Sequence, residues 1–127
     1  MENILKIAVD AMGGEGSPKK IIEGIIHHNK KNKNIFYNIF GDEKKISKHL
    51  SKNLNSNSYK IFNTSEIVED ADTPLAGAKR GKNTSMWMAI DSVKNNKSNV
   101  VVSAGNTGAL FVIAKLNLKM IQNIDKP

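Results

Sequence analysis

Ile4-Leu5-Lys6-Ile7-Ala8-Val9 is almost continuously apolar, the pattern of a strand covered on both faces of a parallel sheet. Gly13, Gly14 and Gly16 then interrupt regular structure. Ser17-Pro18 offers a capping hydroxyl followed by proline at a first helical position, and Ile21, Ile22, Ile25 and Ile26 recur at helical spacing. Strand, glycine loop and helix therefore follow one another. Ile35 to Phe40 predicts a second strand, Gly41-Asp42 a turn, and Ile46 with Leu50 one side of a short polar helix. Asn53 to Ser58 reads as a polar connector and Tyr59 to Phe62 as a third short strand. In Asp70-Ala71-Asp72-Thr73-Pro74 the proline blocks any helix that ends there. Thr84 to Lys97 predicts a helix with Met86, Ile90 and Val93 on one side, and Asn99 to Ser103 a fourth strand. Gly105 to Gly108 leads into a helix from about Thr107 to Ile121, carrying Leu110, Ile113, Ala114 and Leu116.

Strands alternating with helices predict an α/β fold with a mainly parallel sheet and flanking helices, because parallel neighbours need a crossover. Residues 1–127 are expected to form a single α/β domain. Gln122 to Pro127 has the character of a helix exit toward a further strand, so the sheet is expected to be incomplete at its C-terminal end: either a partner covers the open edge or the chain is the N-terminal part of a longer protein.

Composition narrows the chemistry. The chain has 127 residues, 39% of them apolar, enough for one core. It has no cysteine, so disulfides, thiolate nucleophiles and thiolate metal sites are excluded. The longest apolar run, Ala109 to Ala114, is far shorter than the ~20 residues of a spanning helix. Met1 to Lys6 lacks the pattern of a secretory leader, which makes a cytoplasmic location the expectation. A net charge of +7 raises the question of nucleic acid. Arg80 is the single arginine among the basic residues, and the aromatics are not interleaved with the lysines, so no nucleic-acid partner is expected. The positive balance favours an acidic partner or an anionic surface.

Three segments carry candidate chemistry. Asp10 to Pro18 follows the first strand, where ligands of open α/β sheets bind; Asp10 is there either a functional carboxylate or the brace of a glycine turn. The segment is not a dinucleotide fingerprint, since Lys19 stands in the third glycine's place. Ser103-Ala104-Gly105-Asn106-Thr107-Gly108-Ala109 also joins a strand to a helix. Its free amides and helix dipole suit phosphate, with Asn106 and Thr107 adding polar groups; the plainer reading is a tight turn with Asn106 or Thr107 as a cap. Pro74 to Met86 is not a P-loop, because only three residues separate Gly77 from Gly81. Lys79, Arg80 and Lys82 make it a basic loop able to hold phosphate or an acidic protein, or else a solvated one. His27, His28 and His49 read as surface histidines, and Trp87 as packing.

Taken together, Ile7-Ala8-Val9-Asp10-Ala11-Met12-Gly13-Gly14, the segment Pro74…Arg80…Lys82…Ser85-Met86, and Val102 to Ala109 resemble the bacterial phosphate acyltransferases of phospholipid synthesis. Ile124-Asp125-Lys126-Pro127 is similar to that family's Ile-Asp-Arg-Pro. Glu15, Gly81, Lys79, Thr84 and Lys126 depart from the family's usual residues. The resemblance implies a fold related to phosphotransacetylases and isocitrate dehydrogenase, a homodimer, and peripheral association with the inner face of the membrane. It implies transfer of a fatty acyl group from acyl carrier protein to inorganic phosphate, without metal or cofactor. Asn106 and Asp10 are then the expected catalytic residues. Gly13, Gly14, Arg80, Lys82, Ser85, Ser103, Gly105, Thr107 and Gly108 are the expected phosphate and substrate contacts. Two other readings fit the same residues: a non-catalytic α/β piece that at most binds phosphate or acyl carrier protein, and a nucleotide-dependent dehydrogenase on the related fold.

Overall fold

A computed structural model describes residues 3–50 and 54–124. Four strands form one sheet: β1 (Leu5–Asp10), β2 (Ile35–Gly41), β3 (Tyr59–Asn63) and β4 (Val100–Ser103). Their order is β3-β2-β1-β4, and every pairing is parallel. The expected α/β architecture is thus present among the described residues. Asn53 of the predicted connector, and Asp125 to Pro127, lie outside them. Ser56–Ser58 of the connector forms a single tight turn of 3-10 helix.

Alternation along the strands assigns the two faces. Val9, Tyr37 and Ile39 point to one side, where Ile22 and Ile25 of α1 (Lys19–Lys31) and Ile46 of α2 (Glu43–Ser47) bury them. Ala8 and Phe40 point to the other, against Ala89 of α4 (Ser85–Lys94). A second part of that layer joins Met86 and Ile90 to Ala109 and Ile113 of α5 (Thr107–Asn117), with Trp87 packed on it. Helix α3 (Pro74–Lys79) packs against α5. Beside β4 the first face is open: Val102 is 53% exposed, and an apolar groove of about 300 Å³ runs between α1 and the sheet.

Several local expectations need correction. Pro74 starts a helix rather than stopping one; its ring suits a first helical position, and Thr73 caps the helix by accepting from the Ala76 amide at 3.2 Å. Pro74 to Met86 is accordingly not all loop. Ser17 does not cap α1: its hydroxyl donates to the Gly13 carbonyl, and Pro18 occupies the cap position. The last helix ends at Asn117, where Leu118 turns extended, instead of reaching Ile121. The short second helix ends at Ser47, before Leu50.

Candidate functional site

The chain leaves β1 for α1 on one face and leaves β4 for α5 on the other. The carboxyl ends of these neighbouring strands therefore enclose the crevice where open α/β sheets bind ligands. Asp10 and Ser103 end the two strands and are paired in register.

Asp10 is 2% exposed, and its carboxylate is fully engaged. Oδ1 accepts from the Ser85 hydroxyl at 2.7 Å and from the Met12 amide at 3.1 Å; Oδ2 accepts from the Ser103 hydroxyl at 2.8 Å. Ser103 Oγ in turn accepts from the Gly105 amide at 3.1 Å. One buried carboxylate thus ties together the first glycine loop, the start of α4 and the second glycine loop. Burying a charge without partners is costly, whereas these donors hold it in place.

The two glycine loops meet through bare backbone. A Cβ on Gly13 would lie 2.7 Å from the Gly105 Cα, and one on Gly14 would lie 2.7 Å from the Ala104 carbonyl. Gly14 also has φ +91°, which L side chains rarely adopt. Gly108 serves packing: its Cβ would meet the Pro74 ring at 2.5 Å, so α3 lies against the first turn of α5.

Asn106 caps α5 by accepting from the Ala109 amide at 3.1 Å. Its amide nitrogen donates to the carbonyls of Asp72, at 2.7 Å, and Glu69, at 3.1 Å. The amides of Thr107 and Gly108, which precede Ala109 in the first turn of α5, take no partner among the described residues. They are the orphan donors of a helix start, at its positive end.

Arg80 ends α3, and helical side chains lean toward the N-terminus, so its guanidinium reaches back to Asp72. Nε donates to Asp72 Oδ2 and Nη2 to Oδ1 at 2.9 Å, a two-pronged pair. Hydrogen bonding from Arg80 holds the Asp72 carboxyl below its ordinary range, and Asp72 in turn raises Arg80. Arg80 also lines a polar cavity of about 420 Å³ with Glu66, Glu69 and Thr84. Lys82 is exposed to solvent.

The structure therefore brings Asp10, Gly13, Gly14, Ser85, Ser103 and Gly105 into one contact network. Arg80 joins it indirectly, through Asp72 and Asn106; among the described residues Lys82 makes no hydrogen bond or ion pair with it. Asp72 is the member that sequence reasoning missed. The available signal was its place just before the Thr73-Pro74 helix start, with a lone arginine at the far end of a one-and-a-half-turn helix. Among the described residues no group of three or more His, Asp or Glu side chains could hold a metal ion. No described helix is long and apolar enough to cross a membrane.

Residues 5–127 match the family described as fatty acid synthesis protein. A phosphate acyltransferase of Pelagibacter ubique is 64% identical over 127 residues, covering all of this chain and 38% of the relative. Phosphate acyltransferases of Listeria innocua and Ehrlichia canis are 41% and 39% identical, over 97% and 98% of this chain and 36% and 38% of theirs. The chain thus spans little more than a third of the length of these curated relatives. With the match running from β1 through both glycine loops, the chain belongs to the fatty acid synthesis protein family.

Proposed function

We propose that this chain supplies the phosphate-binding part of an acyltransferase that moves a fatty acyl group from acyl carrier protein to inorganic phosphate. The observation that carries the reading is the α5 start: the Thr107 and Gly108 amides take no hydrogen-bond partner among the described residues, and the helix they open follows a loop braced by buried Asp10. The names of the relatives support the reaction class.

The chemistry fits these groups. Phosphate is an anion at neutral pH and needs no base to become a nucleophile. An oxygen of phosphate attacks the thioester carbonyl carbon, the new C–O bond gives a tetrahedral oxyanion, and the C–S bond then breaks. The thiolate leaves and takes a proton from solvent, giving acyl phosphate and free carrier thiol. The site's work is to orient phosphate and stabilise charge, which fixed amides and a helix dipole do without reorganising. In this reading Asn106 fixes the angle of the α5 start, Asp10 fixes the crevice floor, and Ser85, Ser103, Gly13, Gly14 and Gly105 shape it. Arg80 and Lys82 contribute to the positive balance, and the chain's +7 attracts an acidic carrier protein. The whole enzyme works as a cytoplasmic homodimer in peripheral contact with the membrane, residues 1–127 being one α/β domain of it.

The test is formation of acyl phosphate from acylated carrier protein and phosphate by the 127-residue chain, with Asn106→Ala beside it. Product lost in the variant supports a complete site within these loops. A folded chain that binds phosphate and forms no product restricts its role to binding. A folded chain that does neither contradicts the reading.

A further inference from the structure

We propose that Asp72 is a positioning residue for the anion site: it holds Arg80 through its carboxylate and the α5 cap Asn106 through its carbonyl. The inference rests on the functional reading above. Its basis is that two different groups of one residue engage the two candidate elements. The carboxylate receives both Nε and Nη2 of Arg80, and Nη1 takes no part in that grip. The carbonyl accepts from Asn106 Nδ2 at 2.7 Å, the shortest bond of that side chain among the described residues. Asp72 Oδ2 also accepts from the Glu69 amide at 2.9 Å, so the segment bearing both carbonyl anchors is itself folded around this carboxylate.

The Arg80 side chain is 42% exposed, and an unheld arginine at such a place samples many rotamers. A planar guanidinium gripped on two prongs keeps one orientation, and a phosphate entering the crevice meets a cation already in place. Packing of Gly108 on Pro74 and of Gly77 on Ala109 makes α3 and α5 one block, so the orientation set at Asp72 is carried to the α5 start.

The two physical effects of removing the carboxylate have opposite signs, which makes the test decisive. Loss of a negative charge alone strengthens anion binding. Loss of positioning weakens it. Asp72→Asn keeps the backbone carbonyl that anchors Asn106, removes the charge that grips Arg80 and leaves one accepting oxygen where Arg80 and the Glu69 amide now share two. Titration of wild type and D72N with inorganic phosphate, followed by backbone amide shifts and by the Arg80 Nε–H signal, separates them. The expected result is binding weaker by about five- to tenfold in D72N, with the Arg80 Nε–H signal collapsing toward free arginine. Equal or tighter binding by folded D72N overturns the role of Asp72. Wild type that binds no phosphate instead overturns the functional reading, with the Arg80 signal still reporting whether the grip exists. If D72N does not fold, Arg80→Lys carries the same question: it keeps the charge and loses the fork, so weaker binding supports the proposal and unchanged binding contradicts it.

Discussion

Gly13 and Gly105 touch through backbone alone: a Cβ on Gly13 would stand 2.7 Å from the Gly105 Cα and 2.9 Å from Asp10 Oδ2. Neither neighbour can move away, since one is main chain and the other is a carboxylate held by two hydroxyls and an amide. Gly13→Ala is therefore expected to destabilise the fold by about 1–3 kcal/mol, as overpacking does, measured by urea unfolding. Gly24 provides the opposite control. It lies inside α1 with nothing within 4 Å of its Cβ direction, so Gly24→Ala is expected to stabilise by about 0.5–1 kcal/mol.

Asp10→Asn is expected to cost about 1–3 kcal/mol. The amide replaces one accepting oxygen with a donor, facing either the Ser85 or the Ser103 hydroxyl. That hydroxyl must then turn, and Ser103 Oγ already accepts from the Gly105 amide. A loss of stability with intact amide shifts elsewhere agrees with the bracing role. An unchanged midpoint would show that the network is not what holds the loops.

Asn106 separates into two functions by substitution. Asn106→Ala loses the α5 cap and the tether to the 69–72 segment and is expected to cost about 1–2 kcal/mol. Asn106→Asp keeps a capping oxygen and loses the donors to Glu69 and Asp72. It is expected to retain α5 while hydrogen exchange of the 69–72 amides accelerates. Equal exchange in wild type and N106D would contradict the tether.

The pH dependence of the Asp72–Arg80 pair has a definite sign. Hydrogen bonding from Arg80 lowers the folded carboxyl below its ordinary 3.8, so the pair's stabilisation is present above that value and is lost as pH falls through the lowered one. The stability difference between wild type and D72N is expected in full near neutral pH and to shrink progressively as pH falls below 3.8 through the lowered value. A difference that persists in acid would locate the effect elsewhere.

Strands β1 and β2 were legible because they are buried on at least one face and read as apolar runs of the right length, and β4 because Val100 to Val102 form such a run although none of its residues is buried. The α5 cap was legible only as a choice between Asn106 and Thr107, both of which precede the apolar stretch; the structure takes Asn106. Helix α3 was not legible: six residues are too few to show a period, and Pro74 is compatible with both a stop and a start. The Ser85 to Asp10 bond spans 75 positions, and only the crossover that carries α4 across the β1 face brings them together. Asp72 was hidden for the same reason. Its partners, Arg80 and Asn106, belong to separate elements that meet through glycine contacts no local pattern announces.

The most direct test of the central claim is titration of the wild-type chain with inorganic phosphate, read by backbone amide shifts, with chloride at equal ionic strength as the control. The account expects saturable shifts at Thr107, Gly108, Gly105 and Gly13 that chloride does not reproduce. Absence of shifts there, or small shifts scattered over the exposed lysines and equally produced by chloride, would contradict it.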